Sequence, residues 1–240
     1  MSKTKTKRYL VLLAAIGLIA AALGGSGTFA SFNAEVTNHG NTFQTGSLVL
    51  SNKVDTNAAC FSSGAGNVNN VNDCGAIFAI PTNWQPDGTT LSKNLTLENT
   101  GSLTPAALTW WAPLLTTAGA TSGGTLVCNY EHYTPAGTNP YVGTGNPCTA
   151  LGMQIQEYDS SFTTPTSSCV WPVAAVACST NYAALSTLPA SGSPLTIAGG
   201  LAPATPRYFK ITIKYPASVG AADNAYQAEK TYFDLTWHIQ

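Results

Sequence analysis

Six cysteines, three histidines and a sparse set of carboxylates are the residues of this chain best able to do chemistry, and their spacing favours cross-linking over catalysis. Cys60, Cys74, Cys128, Cys148, Cys169 and Cys178 form an even set without a Cys-x-x-Cys pair, the pattern of a disulfide framework rather than of a thiolate metal site. Six cysteines allow fifteen pairings, which spacing alone does not resolve. The sequential set (Cys60 with Cys74, Cys128 with Cys148, Cys169 with Cys178) is the expectation, because each bridge closes a short loop rich in Gly, Asn, Pro or Ser where the chain must turn anyway. His39, His132 and His238 include no His-Glu-x-x-His, so the two imidazoles of a zinc protease have no helical face to share. Cys128-Asn129-Tyr130-Glu131-His132 has the outline of the reversed motif, with Cys in place of the first His and the alternation of a strand; a cross-strand polar pair is expected there.

Other catalytic patterns are equally thin. No Gly-x-Ser-x-Gly occurs, and the Ser-rich loops have no neighbouring His to act as base. Glu157 and Asp159, two apart on a strand, share a face and would suit a glycosidase dyad or a calcium site, but two solvated charges is the simpler reading. The chain is expected to be no enzyme and to carry no cofactor or metal. Trp84, Trp110, Trp111, Tyr133, Tyr141 and Trp171 include several rings in or beside loops, where exposed aromatics could stack on sugars. Core packing competes with that use: in the pair Trp110-Trp111, strand alternation sends one ring inward and the other outward.

The elements that must position these residues read as strands. Phe233, Leu235, Trp237 and Ile239 alternate with polar residues over Thr231 to Ile239, and Phe209, Ile211, Ile213 and Tyr215 do so over Tyr208 to Tyr215. Leu91, Leu95 and Leu97 share a face in Leu91 to Glu98, which ends at the turn Asn99-Thr100-Gly101-Ser102. Further strands are expected near Thr42 to Ser51, Ala76 to Pro81, Ala106 to Ala112, Thr125 to Tyr133, Gly152 to Tyr158, Cys169 to Ala175 and Ser193 to Ala198. Sustained helical periodicity is missing beyond residue 30. The fold class expected is all-β, a single two-sheet sandwich of jelly-roll or Ig-like type over residues 31–240, following an N-terminal signal peptide over 1–30.

That leader has the expected order: Lys3, Lys5, Lys7 and Arg8, an apolar stretch Tyr9 to Leu23, and a small-residue exit at Thr28-Phe29-Ala30 before Ser31. A spanning helix needs about twenty apolar residues, and Gly24 to Gly27 interrupt the run first. Signal-peptidase cleavage after Ala30 is expected, leaving a secreted or surface-associated chain with no membrane attachment. Beyond residue 30 there are six Lys and Arg against eleven Asp and Glu, a net charge of −5. No basic cluster is evident in that order of residues, and nucleic acid is not an expected partner.

Two blocks carry a family resemblance. Gly24-Gly25-Ser26-Gly27-Thr28-Phe29-Ala30-Ser31-Phe32-Asn33, followed by Asn41-Thr42-Phe43-Gln44-Thr45-Gly46-Ser47-Leu48-Val49-Leu50, and then Leu95-Thr96-Leu97-Glu98-Asn99-Thr100-Gly101-Ser102-Leu103, resemble the TasA/camelysin family. The resemblance covers the first hundred residues and, loosely, the strand ending in Trp237; the cysteine-bearing middle departs from the fibre-forming members. It implies a jelly-roll fold, export with a dedicated signal peptidase and, for the TasA branch, a biofilm-matrix fibre built by strand donation. The residues support the last point independently: Phe32, Ala34 and Val36 alternate with Ser31, Asn33, Glu35 and Thr37, so cleavage would free an amphipathic strand at the chain terminus. Head-to-tail self-association through that strand would propagate as a filament. The alternatives are a strand folded back into its own domain, an adhesin-like module binding extracellular polysaccharide, and, remotely, a camelysin-like metalloprotease.

Overall fold

The computed structural model describes residues 11, 13–16, 46–63, 72–78, 88–115, 127–132, 145–173, 178–215, 226 and 229–240. The chain divides into two compact units, Met1–Thr45 and Gly46–Gln240. Within the first, residues 13–16 are helical. Among the described residues no helix is long and apolar enough to cross a membrane. The expected cleavage residues Thr28, Ala30 and Ser31, and the expected donor residues Phe32, Ala34 and Val36, lie outside the described residues.

Among the described residues the second unit is all-β, built of antiparallel strands with only single-turn helices. Its strands are β1 (Leu50–Val54), β2 (Cys60–Phe61), β3 (Thr90–Asn99), β4 (Leu108–Trp111), β5 (Asn129–His132), β6 (Gly152–Tyr158), β7 (Pro165–Trp171), β8 (Ala183–Ala184), β9 (Leu195–Ile197), β10 (Arg207–Lys214), β11 (Glu229–Tyr232) and β12 (Thr236–Ile239). A seven-stranded sheet has the order β2-β1-β3-β10-β6-β7, with β8 also on β6; β12-β4-β9 form a three-stranded sheet and β11-β5 a pair. β10 is the spine of the large sheet, paired along its whole length with β3. Its alternation is the reason: Phe209, Ile211 and Ile213 are buried on one face, as are Leu95 and Leu97 of β3 and Met153 and Ile155 of β6.

The two larger sheets share one core. Phe209 meets Trp237 at 5.6 Å between ring centroids, Trp237 meets Trp110 at 5.9 Å, and Trp110 meets Trp171 edge-on at 5.8 Å. This chain of rings runs from β10 through β12 and β4 to β7. Large aromatics each bury about 150–250 Å², so the four rings supply a substantial share of the apolar area between the layers.

Several strand bounds differ from the sequence pattern. Thr231 to Ile239 is two strands: Tyr232 pairs with Asn129 of β5, whereas Thr236 pairs with Trp111 of β4, and residues 233–235 carry no ladder. Phe233 and Leu235 still pack on the core, so alternation persists while the partner changes. Residues 76–78 form no strand, although Ile77 and Phe78 pack against the core, with Phe78 6.3 Å from Phe233; residues 79–81 lie outside the described set. Of the strand expected over Thr42 to Ser51, residues 42–45 lie outside the described set, 46–49 form no ladder, and β1 begins at Leu50. β7 ends at Trp171, because Pro172 has no N–H to continue the ladder.

Candidate functional site

The described end of the first block that carries the resemblance, residues 46–50, meets the second block in space. Residues 46–49 run beside the turn that follows β3: Thr100 donates its N–H to the Val49 carbonyl at 2.8 Å, Ser102 to the Ser47 carbonyl at 2.8 Å, and Leu103 to the same oxygen at 3.1 Å. The Ser102 hydroxyl accepts from the Ser47 N–H at 3.1 Å in return. This clasp explains why residues 46–49 are not a strand: their backbone groups are engaged by a turn.

Asn99 organises that turn from inside. Fully buried at the end of β3, it donates through Nδ2 to the carbonyls of Leu103 (2.7 Å) and Leu201 (3.3 Å), and its Oδ1 accepts from the Gly101 N–H at 2.9 Å. A buried amide is tolerated only when its hydrogen bonds are made, and Asn99 makes three. Gly101 is required by proximity, since a Cβ there would stand 2.1 Å from the Ser47 carbonyl oxygen. Gly46 is confined less strictly: the Leu103 side chain stands 2.3 Å from its virtual Cβ, but that side chain is exposed and can turn aside.

A second knot closes one end of the core. Arg207, first residue of β10, binds Glu157 of β6 through two parallel bonds of 2.7 Å, and its Nη1 donates to the carbonyls of Ala198 and Gly200 at 2.8 Å each. Both side chains are mostly buried, at 16% and 18% exposure. Glu157 is therefore committed to Arg207. Asp159 is committed elsewhere: its carboxylate accepts from the Thr163 N–H at 3.0 Å and the Ser161 hydroxyl at 2.8 Å, bonds that hold it well below the usual carboxylate range. Phe162, inside this small loop, takes a left-handed φ of 57°. Glu157 and Asp159 thus serve two structural tasks and form no dyad.

The cysteines are joined as Cys60–Cys74, Cys128–Cys148 and Cys169–Cys178, with Cα separations of 5.8, 5.8 and 4.8 Å. Cys128 is oxidised, so the reversed-motif segment offers no thiolate. Its Glu131 instead faces Lys230 across the β5–β11 pair, 3.4 Å from the ammonium, and accepts a hydrogen bond from the Tyr232 hydroxyl. The Tyr232 bond and then Lys230 hold Glu131 below its ordinary range. This is the cross-strand polar pair that strand alternation implies. Among the described residues no three His, Cys, Asp or Glu side chains converge as a metal site would need.

Of the aromatics considered for sugar stacking, Trp110 is fully buried and Trp171 packs edge-on against it, while Trp111 is half-buried against His238 at 5.8 Å. Trp84, Tyr133 and Tyr141 lie outside the described residues. The indole nitrogens of Trp110, Trp171 and Trp237 have no hydrogen-bond partner among the described residues, so these rings act through shape and apolar area. The aromatic face that the sequence did not single out is on the outside of the large sheet, where Tyr158 and Tyr208 pair directly across β6 and β10.

Among the described residues no strand pairs with the side of β12, or of β9, that faces away from β4. An unpaired edge presents a row of free N–H and C=O groups suited to an incoming strand. The sequence matches no protein-family model and no curated protein.

Proposed function

We propose that the chain is a secreted, non-catalytic structural subunit of an extracellular matrix or surface fibre. Its fold is a two-layer sandwich of jelly-roll type, it is released by cleavage after Ala30, and it assembles when Ser31 to Thr37 pairs with a neighbouring copy. The observation that carries this reading is β12, whose side away from β4 carries no partner strand among the described residues and whose Trp237 and Ile239 face the core. An antiparallel or parallel addition there would extend a three-stranded sheet, with main-chain hydrogen bonds supplying affinity and Phe32 and Val36 supplying apolar anchors. Three disulfides suit an oxidising, extracellular setting.

The test is electron microscopy of three chains: one beginning at Ser31, one retaining the leader, and one beginning at Asn38. Filaments from the Ser31 chain alone are the expected result. Normal filaments from the Asn38 chain would remove the donated strand from the mechanism, and single particles from all three would leave a self-contained domain.

A further inference from the structure

The fold gathers cations that are scattered in the sequence. Of the six Lys and Arg beyond residue 30, Lys93 is bound to Asp55 at 2.7 Å, Arg207 to Glu157, and Lys230 to Glu131. The remaining three, Lys53, Lys210 and Lys214, stand on strands β1 and β10 of the large sheet, and all three project from its outer face by register. None of them forms an ion pair with a carboxylate among the described residues. A patch of positive charge without carboxylate partners among the described residues therefore sits on a chain whose residues 31–240 carry a net charge of −5.

Register also fixes what lies between them. One row across the sheet reads Lys53, Thr96, Tyr208, Tyr158. The next reads Asn94, Lys210, Gln156. The Lys210 ammonium lies 4.3 Å above the Tyr158 ring and donates to the Phe162 carbonyl at 2.8 Å, and Phe162 stands edge-on to Tyr208 at 5.5 Å. Two adjacent tyrosine rings are thus held by a lysine on one side and a loop phenylalanine on the other. Lys53 is exposed and lies roughly 12 Å from Lys210, from two strand spacings and one two-residue step. Glu98 borders the patch one row beyond Lys53, opposite Ser51.

The far side of this face is closed. Residues 178–182, tied to β7 by Cys169–Cys178, fold over it: the Gln154 amide, oriented to donate, reaches the Cys178 and Asn181 carbonyls, and Tyr182 fills the space above Gly152 beside Lys214. The rest of this face presents half-buried tyrosine rings, hydroxyl and amide groups, with Lys210 among them and the exposed Lys53 at its margin. Ring faces attract the C–H surface of a sugar, amides and hydroxyls match its diols, and ammonium groups match carboxylates. The geometry points to an acidic polysaccharide as the ligand of this face, its sugar rings on Tyr158 and Tyr208 and its uronate carboxylates on Lys53 and Lys210. This site is independent of the strand-donation reading and lies on a different sheet from β12.

Polygalacturonate tests the assignment, with dextran as the neutral control and duplex DNA as the non-sugar polyanion. The full chain is expected to bind polygalacturonate and to release it with added salt, because exposed charges are screened. K53Q/K210Q is expected to weaken binding at least tenfold, and K53R/K210R to restore most of it. Y158L or Y208L, with the lysines intact, is expected to weaken binding at least threefold. Lys53→Gln alone, at an exposed position that cannot unfold the domain, keeps the test valid should the double variant be unstable. Unchanged binding by the lysine variants would overturn the site. Equal affinity for DNA with no effect of the tyrosine variants would reduce it to an unspecific charge patch, and no binding to polygalacturonate would dismiss the ligand class.

Discussion

Gly101 lies so close to Ser47 that no side chain can stand between them: a Cβ would sit 2.1 Å from the Ser47 carbonyl oxygen and 2.8 Å from the Val49 nitrogen. Both obstacles are backbone and neither can turn aside. Gly101→Ala is expected to destabilise the domain by about 1–3 kcal/mol, the range for forced overpacking. For a domain of this size that lowers the melting temperature by roughly 2–4 °C per kcal/mol. Gly192→Ala, where nothing lies within 4 Å, is the matched control and should melt as the parent does. Equal melting of the two variants would show that the clasp is looser than described.

The Asn99 amide should matter more than its single position suggests. Asn99→Leu removes two donors and one acceptor and strands the Gly101 N–H and the Leu103 and Leu201 carbonyls. Each stranded buried group costs about 1–3 kcal/mol, so a loss near the top of that range is expected by chemical denaturation. Asn99→Asp, which turns a carboxylate oxygen onto the Leu103 and Leu201 carbonyls in a fully buried site, should cost at least as much as Leu at neutral pH and recover part of the loss as the carboxyl is protonated. A neutral Asn99→Leu would mean that water replaces the amide.

The clasp also shows what the sequence could and could not reveal. Residues Asn99 to Ser102 read as a turn because of their types, and β3, β6 and β10 read as strands because one of their faces is continuously apolar. That Gly46-Ser47 and Gly101-Ser102 touch each other was not legible, since contact across about fifty residues leaves no periodic trace. The break at residues 233–235 was hidden for the opposite reason: alternation reports which side chains face inward, not which strand is the partner. The basic face escaped notice because Lys53 and Lys210 are far apart in sequence and become neighbours only through β3. Trp110 and Trp111 behaved as alternation requires, one buried and one half-buried. Glu157 and Asp159 looked like a pair on spacing, whereas Arg207 and the 159–164 loop, which separate them, come from segments that spacing cannot connect.

Arg207 and Glu157 should prove strongly coupled. Removing Glu157 as Ala leaves a guanidinium that is only 16% exposed facing the core end without its carboxylate, a change expected to cost about 3 kcal/mol. Arg207→Met with Glu157→Leu removes both charges and should cost less than the single Glu157→Ala variant. A double-mutant cycle by urea unfolding measures the coupling directly; additive losses would show that the two residues act separately.

The 159–164 loop should resist acid. Asp159 is held below the usual carboxylate range, first by the Thr163 N–H and then by the Ser161 hydroxyl. A depressed carboxylate stabilises the fold above its unfolded pKa, and that contribution fades only as pH falls through the lower, folded value. The loop is therefore expected to stay ordered at pH 4 and to loosen well below it. Titration of the Asp159 carboxyl carbon by NMR should give a midpoint beneath that of an exposed aspartate, and Asp159→Asn should abolish this part of the acid response. An ordinary midpoint would show that the capping bonds are not held in solution.

The three disulfides should open in a fixed order under mild reduction of the native protein. Thiol exchange requires an attacking thiolate to reach a sulfur, so access decides the rate. Cys128 and Cys148 are both fully buried, Cys178 is almost so with Cys169 close behind, and Cys60 is only half-buried on the two-residue edge strand β2. Cys60 and Cys74 are expected to be alkylated first, while Cys128 and Cys148 remain bonded until the domain unfolds. Their replacement together by alanine should cost about 3 kcal/mol from loop closure alone, with a loop of 20 residues released. Mapping alkylated peptides against time by mass spectrometry reads the order. Early labelling at Cys128 would mean that the core around β5 opens locally, well before the unit as a whole.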